Sequence, residues 1–267
     1  MTGQVKGIIM KTSTIMALAL SMGAVDAVAE TGSQTGSFSR EDVQAVSPAL
    51  EHYATDRLAS NLWKRPGLAP RDRSIITVAA VIVRNQTVLL AEQLQLALDN
   101  GVKPAEISEI ITHLAFYAGW GNAIAATAIA KDVFTERGID RNQLPKASVQ
   151  LLPLDEKAEA TRAARVEEST GPASPGLVRD TADVLFKDLW LRPDLAPRDR
   201  SLVTVTALIA TAQVEQIPFH LNKAMDNGLK REEAAEMVSH LAYYAGWPNA
   251  FSASSVVRTV FEKRPRQ

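Results

Sequence analysis

The sequence predicts an all-α protein made of two tandem copies of one helical unit, and three observations carry this prediction. Residues 62–74 return as residues 189–201, and eleven of the thirteen positions are identical. At the same offset, residues 113–123 match residues 240–250 without a gap. Apolar residues recur at helical spacing in each copy, and no segment has the flanks and alternation of a strand. Two copies are too few for an open solenoid, so we expect a closed pair.

The repeat defines the expected domains. The first helical unit spans residues 47–140 and the second spans residues 174–267, with a linker at 141–173 between them. Within the linker, residues 155–168 are rich in Ala, Glu and Arg, which predicts a short charged helix. The Gly- and Pro-containing residues 171–176 would end that helix.

Each unit is expected to contain five helices. The first leads to a tryptophan, and the second starts at a proline, which suits a first helical turn. The third ends at an Asn-Gly pair, whose glycine can adopt the left-handed cap. The fourth runs to another glycine, and the fifth follows an asparagine. In chain order, these markers are Trp63, Pro70, Gly101, Gly119 and Asn122 in the first unit and Trp190, Pro197, Gly228, Gly246 and Asn249 in the second.

Composition excludes several classes of function. The chain has 267 residues, 46% hydrophobic and 22% charged, which is typical of a soluble globular protein. Its net charge of -1 comes from mixed charges, so we expect neither a nucleic-acid partner nor a membrane partner. The absence of cysteine excludes disulfides, thiolate metal sites and thiol nucleophiles. The four histidines lack the His-x-x-His and His-x-x-x-His spacings, which argues against a preformed metal site.

The N-terminus has the pattern of a signal peptide over residues 1–29. Lys6 and Lys11 precede an apolar run at 14–24, and a small-x-small site ends at Ala29. The run is too short for a permanent membrane anchor. We therefore expect a periplasmic or secreted protein cleaved after Ala29; the alternative is a disordered tail on a cytoplasmic protein. Residues 30–46 are rich in Ser, Gly, Thr and Gln, which predicts a flexible segment.

Glu215 and His220 form a candidate acid–base pair in the second unit. Pro218 fits the first turn of the third helix, so Glu215 precedes the helix and His220 projects from its start. The positive helix terminus favours an ionised Glu and a neutral imidazole, which suits a general base. The alternative is an N-capping contact without catalysis.

The first unit supplies an internal control for this pair. It has Val88 at the position of Glu215 and Gln93 at the position of His220, whereas the residues around them match. A purely structural role would be needed in both copies. The joint loss of both ionisable groups therefore favours a function confined to the second unit.

A carboxylate, an imidazole and a phenol recur at i, i+4 and i+8 on the fourth helix of both units. Such a ladder could tune a histidine, but its presence in both copies favours a polar seam between helices. The Arg-Asp-Arg-Ser motif could bind an anion at a helix N-terminus, but here too a structural role is favoured, with the arginines paired to nearby acids. The four tryptophans are predicted to be core residues. The ladders are Glu109-His113-Tyr117 and Glu236-His240-Tyr244, and the tryptophans are Trp63, Trp120, Trp190 and Trp247.

Taken together, these motifs resemble the carboxymuconolactone decarboxylase family. The resemblance rests on Leu-Trp-x-Arg-Pro-x-Leu-Ala-Pro-Arg-Asp-Arg-Ser, on Glu-Gln-x-Pro-Phe-His at 215–220, and on residues 226–228 and 240–250. It covers both units and is closest in the second. It implies the all-helical fold shared with the alkyl hydroperoxidase AhpD. It also implies a homo-oligomer, with a trimer of two-unit chains favoured.

The resemblance further implies a chemistry. The peroxidase branch needs a Cys-x-x-Cys pair, which this chain lacks, so the decarboxylase branch is the better match. By this resemblance the chain would be a lyase that needs no cofactor and acts on a small carboxylated lactone or related organic acid. His220 would transfer the proton, and Glu215 would orient and tune the His220 imidazole. His240 would line the same cleft and contact the oxyanion or carboxylate. The alternative is a non-catalytic ligand-binding or oligomeric scaffold protein.

Overall fold

The computed structural model describes residues 39–265, and within this range the protein is all-α, which confirms the predicted fold class. Short π-helical and 3-10 turns connect twelve α-helices in the described range. The helices are α1 (Arg40–Val46), α2 (Pro48–Tyr53), α3 (Pro70–Val83), α4 (Thr87–Asp99), α5 (Pro104–Tyr117), α6 (Trp120–Glu136), α7 (Glu156–Thr170), α8 (Pro175–Asp180), α9 (Pro197–Ala210), α10 (Ile217–Asp226), α11 (Arg231–Ala245) and α12 (Trp247–Lys263).

The segment that ends at Arg65 forms a compact unit of its own. It contains α1 and α2, followed by a π-helical turn at Ala54–Ala59 and a 3-10 turn at Leu62–Lys64. Helix α1 falls in the segment predicted to be flexible. It forms because Ser39 and Asp42 make a reciprocal capping box, which satisfies two backbone N–H groups at the helix start. The rest of that segment and the predicted signal peptide lie outside the described residues.

From Pro66 onward, both repeats belong to a single compact unit. Helices α3 and α9 occupy corresponding places in the two repeats and pack directly against each other. Both are buried nearly all round, with twelve buried residues each, as expected of central helices. The fourth helix of each repeat also packs on the central helix of the other: α5 against α9, and α11 against α3. The closed pair is therefore built by helices that cross between repeats.

Helix ends follow the sequence closely, with small differences. Gly101 and Gly228 adopt positive φ angles of 87° and 102° directly after α4 and α10, as a left-handed cap requires. Helices α6 and α12 begin three residues earlier than predicted, at the tryptophan rather than after the asparagine. The predicted first helix is interrupted in both repeats, since a π-helical turn follows α2 and another, Thr181–Phe186, follows α8.

The connector contains the helix predicted for it. Helix α7 begins after Asp155, whose carboxylate accepts a hydrogen bond from the Ala158 amide at 2.9 Å. Just before it, the amide of Leu152 donates to the carbonyl of Leu191 at 2.7 Å, which ties the connector to the second repeat. Across residues 39–265, no helix has the length and apolar character needed to cross a membrane.

Candidate active site

The two Arg-Asp-Arg-Ser motifs meet where α3 and α9 begin. Arg71 donates to Asp199 at 2.8 Å, and Arg198 donates to Asp72 at 2.7 Å, so each motif neutralises the other. Each of these arginines also donates to a glutamate at the start of a fourth helix. The interpretation that these arginines pair with acids is confirmed.

The carboxylate–imidazole–phenol ladder of the first repeat is a polar seam against the second. Glu109 is 1% exposed and accepts hydrogen bonds from Arg192 and Arg200. Next to it, His113 Nε2 lies 2.7 Å from the hydroxyl of Thr204. That hydroxyl donates to the carbonyl of Arg200, so it accepts from His113, which fixes a neutral imidazole protonated at Nε2.

The equivalent seam of the second repeat holds His240, which is fully buried. Its Nε2 lies 2.7 Å from the hydroxyl of Thr77, its Nδ1 lies 3.2 Å from Arg73, and its ring stacks on Tyr244. Both ring nitrogens thus contact α3 of the first repeat. The expectation that His240 lines a cleft with His220 is not supported by these contacts. Because the helices cross, the seam histidine close to His220 is His113, and both rings pack against Trp190, with centroids 5.3 Å and 5.9 Å from it.

The second repeat and the connector enclose an open cavity of about 1050 Å³. One wall comes from α7 and the residues just before it, and the other comes from the start of α10 and the 3-10 turn Val214–Gln216. Aromatic side chains and both signs of charge meet on its surface, and the side chains that matter below are Glu159, Arg162, Trp190, Glu215, Phe219 and Lys223.

His220 lies against the aromatic side of this cavity. Its ring stacks on Trp190 with centroids 5.9 Å apart, and it meets the ring edges of Tyr117 and Phe219 at 5.8 Å and 5.0 Å. Trp190 and Phe219 line the cavity, whereas His220 stands directly behind them and is 8% exposed. Its Nδ1 is buried without a hydrogen-bond partner in the described part of the chain.

The surroundings of His220 favour its neutral form. Burial, with a smaller contribution from the nearby Lys223 ammonium, lowers the pKa of the imidazole to about 4. Behind it, the hydroxyl of Tyr117 accepts a hydrogen bond from the indole of Trp190 at 2.9 Å. Burial raises the pKa of this phenol and keeps it protonated. Burial also holds the pKa of His113 well below its usual range, and the Arg200 charge adds to this effect.

Glu215 is exposed and lines the cavity, in the turn that precedes α10, as predicted. Within residues 39–265, no hydrogen bond joins its carboxylate to His220. Glu215 therefore lines the cavity itself, whereas His220 lies behind its aromatic wall. The alternative of an N-capping contact is also not observed, because α10 has no side-chain cap.

The first repeat lacks both groups, and its residues at these positions differ in exposure. Val88 is 59% exposed, whereas Gln93 is 3% exposed and has a buried amide oxygen with no partner among the described residues. The position of His220 is thus buried in both repeats, but it carries a titratable ring in the second repeat alone.

The prediction that all four tryptophans belong to the core is wrong for two of them. Trp120 and Trp247 are 66% and 50% exposed at the starts of α6 and α12, while Trp190 is 5% exposed. Arg162, Lys223 and Tyr117 also lie at the site, although none of them was predicted there. Tyr117 could have been suspected from its ladder, but Arg162 belongs to a connector whose charge pattern is typical of a solvated helix.

Fold and site together define a duplicated all-α protein with an open cavity beside a buried histidine of its second repeat. The sequence pattern of the carboxymuconolactone decarboxylase family matches residues 48–132 and again 175–259. The chain belongs to this family, which confirms the resemblance and the tandem repeat. Among residues 39–265, no group of three or more His, Asp or Glu could hold a metal ion.

Two characterised relatives are decarboxylases. The chain is 33% identical over 75 residues to a 4-carboxymuconolactone decarboxylase of Acinetobacter baylyi, covering 28% of this chain and 56% of that protein. It is 31% identical over 75 residues to the nitrosuccinic acid decarboxylase of Metarhizium robertsii, covering 28% of this chain and 52% of that one. The chain thus spans about half the length of these relatives.

A solved structure from Burkholderia xenovorans, assigned as a gamma-carboxymuconolactone decarboxylase subunit, is similar over much of the chain. It covers 84% of this chain and 91% of that one, with a TM-score of 0.47 and 18% sequence identity.

Proposed function

We propose that this protein is a cofactor-independent decarboxylase that acts on a small carboxylated lactone or a related organic acid. Family membership and the two decarboxylases among its relatives support decarboxylase-like activity. The observation that carries the proposal is the buried imidazole of His220, which has an unpartnered Nδ1 and lies directly behind the wall of a cavity that contains cationic side chains.

The reaction needs no electron acceptor outside the substrate. The bond between the carboxylate carbon and its neighbour breaks, CO₂ leaves, and the electron pair moves into the conjugated system as an enolate. A proton then adds to carbon, and the site regains that proton from water. The protein must bind the anion, shield it partly from water and supply the proton.

His220 is the proposed proton donor, and the bound substrate itself would prepare it. Burial and the charge of Lys223 keep the imidazole neutral. A substrate carboxylate in the cavity brings a negative charge close to the ring and raises its pKa, which favours the imidazolium. Loss of CO₂ leaves an enolate that accepts this proton, and the imidazole returns to its neutral form.

Glu215 is proposed to act from the cavity surface, where it can orient His220 or the substrate once the site is filled. Catalytic hydrogen bonds often tighten only in the reacting complex, so Glu215 can take this role without a hydrogen bond to His220 beforehand. His240 is not part of the proposed site, because Arg73 and Thr77 engage both nitrogens of its ring.

The competing function is a non-catalytic ligand-binding or scaffold protein on the same fold. Its main support is that His220 stands behind the cavity wall rather than on it. The functions are separated by incubating the purified protein with a panel of carboxylated unsaturated lactones and following each by mass spectrometry. Loss of CO₂ in proportion to protein concentration supports the decarboxylase. Tight binding of a panel member without any conversion would instead support the binding protein.

Assembly and location are also proposals. Export to the periplasm or the medium would follow from the predicted signal peptide. A homo-oligomer, with a trimer favoured, would cover the aromatic side chains exposed near the starts of α6 and α12, among them Trp120, Trp247 and Phe251. Light scattering after size-exclusion chromatography should then give three times the chain mass. A monomeric mass would contradict this assembly.

A further inference from the structure

We infer that Arg162 and Lys223 together bind the carboxylate of a small organic acid in this cavity. The inference builds on the proposed function, because it names the groups that would hold the substrate of that function. Arg162 lies on α7, in the connector between the two segments that match the family, so the family pattern does not include it.

Arg162 is a buried cation with an unused donor. Its side chain is 7% exposed, and its guanidinium carbon lies 4.3 Å from the centre of the Phe186 ring. Nε and Nη2 each donate to Glu159 at 2.8 Å, whereas Nη1 is buried without a hydrogen-bond partner in the described chain. An unsatisfied donor on a charged group is costly, and an added acceptor would remove that cost.

Lys223 is a second cation on the same aromatic wall. Its ammonium nitrogen lies 5.2 Å from the centre of the Trp190 ring, and Trp190 stacks on Phe186 with centroids 5.7 Å apart. No carboxylate of the described residues comes within ion-pair distance of Lys223, and its pKa is lowered, mainly by burial. A bound anion would offset that burial and stabilise the ammonium.

Glu159 acts on both cations but leaves a donor of each without a hydrogen bond among the described residues. Its carboxylate is 8% exposed and accepts from two donors of Arg162, and it acts electrostatically on Lys223 after the larger effects of Asp155 and Asp226. The protein's own acid therefore uses part of the available donors, while Nη1 and the ammonium stay unused. Apolar neighbours on the cavity wall, Leu152, Leu154 and Phe219, suit the carbon skeleton of a small acid.

The structural alternative is that Arg162 serves only to fold the connector through its ion pair with Glu159. That role explains Nε and Nη2, but it explains neither the unpartnered Nη1 nor the unpaired Lys223. The two interpretations differ in what they predict for ligand binding, so a non-reacting probe separates them.

The probe is 2-furoate, a planar ring that carries one carboxylate, and its neutral counterpart is 2-furamide. Isothermal titration of the full protein should detect furoate and should find furamide at least about tenfold weaker, because only furoate offers a charged acceptor. Equal affinity for the two compounds, or no binding of furoate, would overturn the inference.

Three single variants locate the effect. Arg162→Gln should weaken furoate by at least about tenfold and leave furamide unchanged. Glu159→Gln should tighten furoate by about threefold or more, because it removes the competing negative charge. Arg165→Gln is the matched control, since it removes the same charge from an exposed, cavity-lining position on the same helix, and it should change affinity by less than about twofold.

The opposite sign expected for Glu159→Gln protects the test from a folding artefact, because a damaged connector would weaken binding in both variants. Thermal unfolding of each variant shows whether its stability matches that of the wild-type protein. Equal losses of furoate affinity in Arg162→Gln and Arg165→Gln would indicate general electrostatic attraction and would contradict a specific site at Arg162.

The binding readout is independent of turnover. Arg162-dependent furoate binding without conversion of any lactone acid would defeat the proposed function and leave this inference standing. Conversion of a lactone acid with an unchanged KM in Arg162→Gln would support the proposed function and defeat this inference.

Discussion

Arg200 donates a hydrogen bond from Nη2 to Glu109 Oε2 at 3.0 Å, and this pair joins the second repeat to the first across a distance of 91 residues in sequence. The two side chains are 0% and 1% exposed. Arg192 donates to the same carboxylate, so one buried acid holds two arginines of the other repeat.

Removing the charge of Glu109 should therefore destabilise the fold strongly. Glu109→Gln leaves Arg200 buried beside a neutral amide, and we expect the free energy of unfolding to fall by about 3–5 kcal/mol. Urea denaturation at neutral pH measures this loss. Asp226→Asn is the matched control, because its partner Arg264 holds a carboxylate that is 65% exposed, and the loss should stay below about 1 kcal/mol. Similar losses in both variants would show that burial of the seam is not what matters.

The asymmetry between repeats gives a functional prediction. With a substrate in hand, His220→Ala and Glu215→Gln should each lower turnover by at least about 10²-fold, because each removes a proposed participant in proton transfer. The corresponding variants of the first repeat, Gln93→Ala and Val88→Ala, should keep turnover within about twofold, since no acid–base group is lost there. Circular dichroism checks that each variant is folded. Full activity of His220→Ala would remove this histidine from the chemistry.

The protonation of His220 should be visible as a dependence of stability on pH. Its pKa in the folded protein is about 4, below the value of about 6.5 in an unfolded chain. Between these pH values the unfolded state therefore binds more protons than the folded state. As pH drops from about 6.5 to 4, the contribution of His220 lowers the free energy of unfolding by up to about 3 kcal/mol.

Replacing His220 with Gln should remove that contribution. The difference in unfolding free energy between wild type and His220→Gln, measured in urea at several pH values, should be constant above pH of about 7 and change through the acidic window. Other groups titrate in both proteins and cancel in the difference. A difference that stays flat would mean that the imidazole titrates alike in the folded and unfolded chain.

A local backbone feature offers a stabilising substitution. Asn85 and Ala212 occupy equivalent positions after α3 and α9, with positive φ angles of 52° and 58°. Asparagine tolerates this left-handed conformation better than alanine does, so Ala212→Asn should raise the free energy of unfolding by about 0.5 kcal/mol or more. Thermal and urea unfolding measure the gain, and the reciprocal Asn85→Ala should cause a comparable loss. If both substitutions changed the free energy of unfolding in the same direction, the explanation from backbone conformation would be contradicted.

Much of the fold follows from local sequence. The prolines that start α3 and α5, the left-handed glycines after α4 and α10, and the charged connector helix are local signals, and the structure has all of them. The crossing between repeats could not be read in this way. Arg73 contacts His240, 167 residues away, but the first repeat offers His113 in a motif that matches at nine of eleven positions, and local sequence does not choose between these two partners.

The candidate site was predictable only in part. Glu215 and His220 stood out because the first repeat lacks them. Arg162 did not stand out, since α7 carries a second arginine, Arg165, and the sequence does not show that Arg162 is buried while Arg165 is exposed. Trp120 and Trp247 were misjudged because large aromatic residues are usually buried, while their actual exposure depends on what packs over the starts of α6 and α12.

The exchange of contacts between α3 and α11 and between α5 and α9 is the geometry of a symmetric dimer carried within one polypeptide. In a dimer of identical subunits, any substitution enters twice, so neither half can change alone. Here each half is encoded separately, and a glutamine can stand at 93 while a histidine stands at 220. Because the repeats are joined in one chain, equivalent positions can carry different residues while both repeats keep the shared framework.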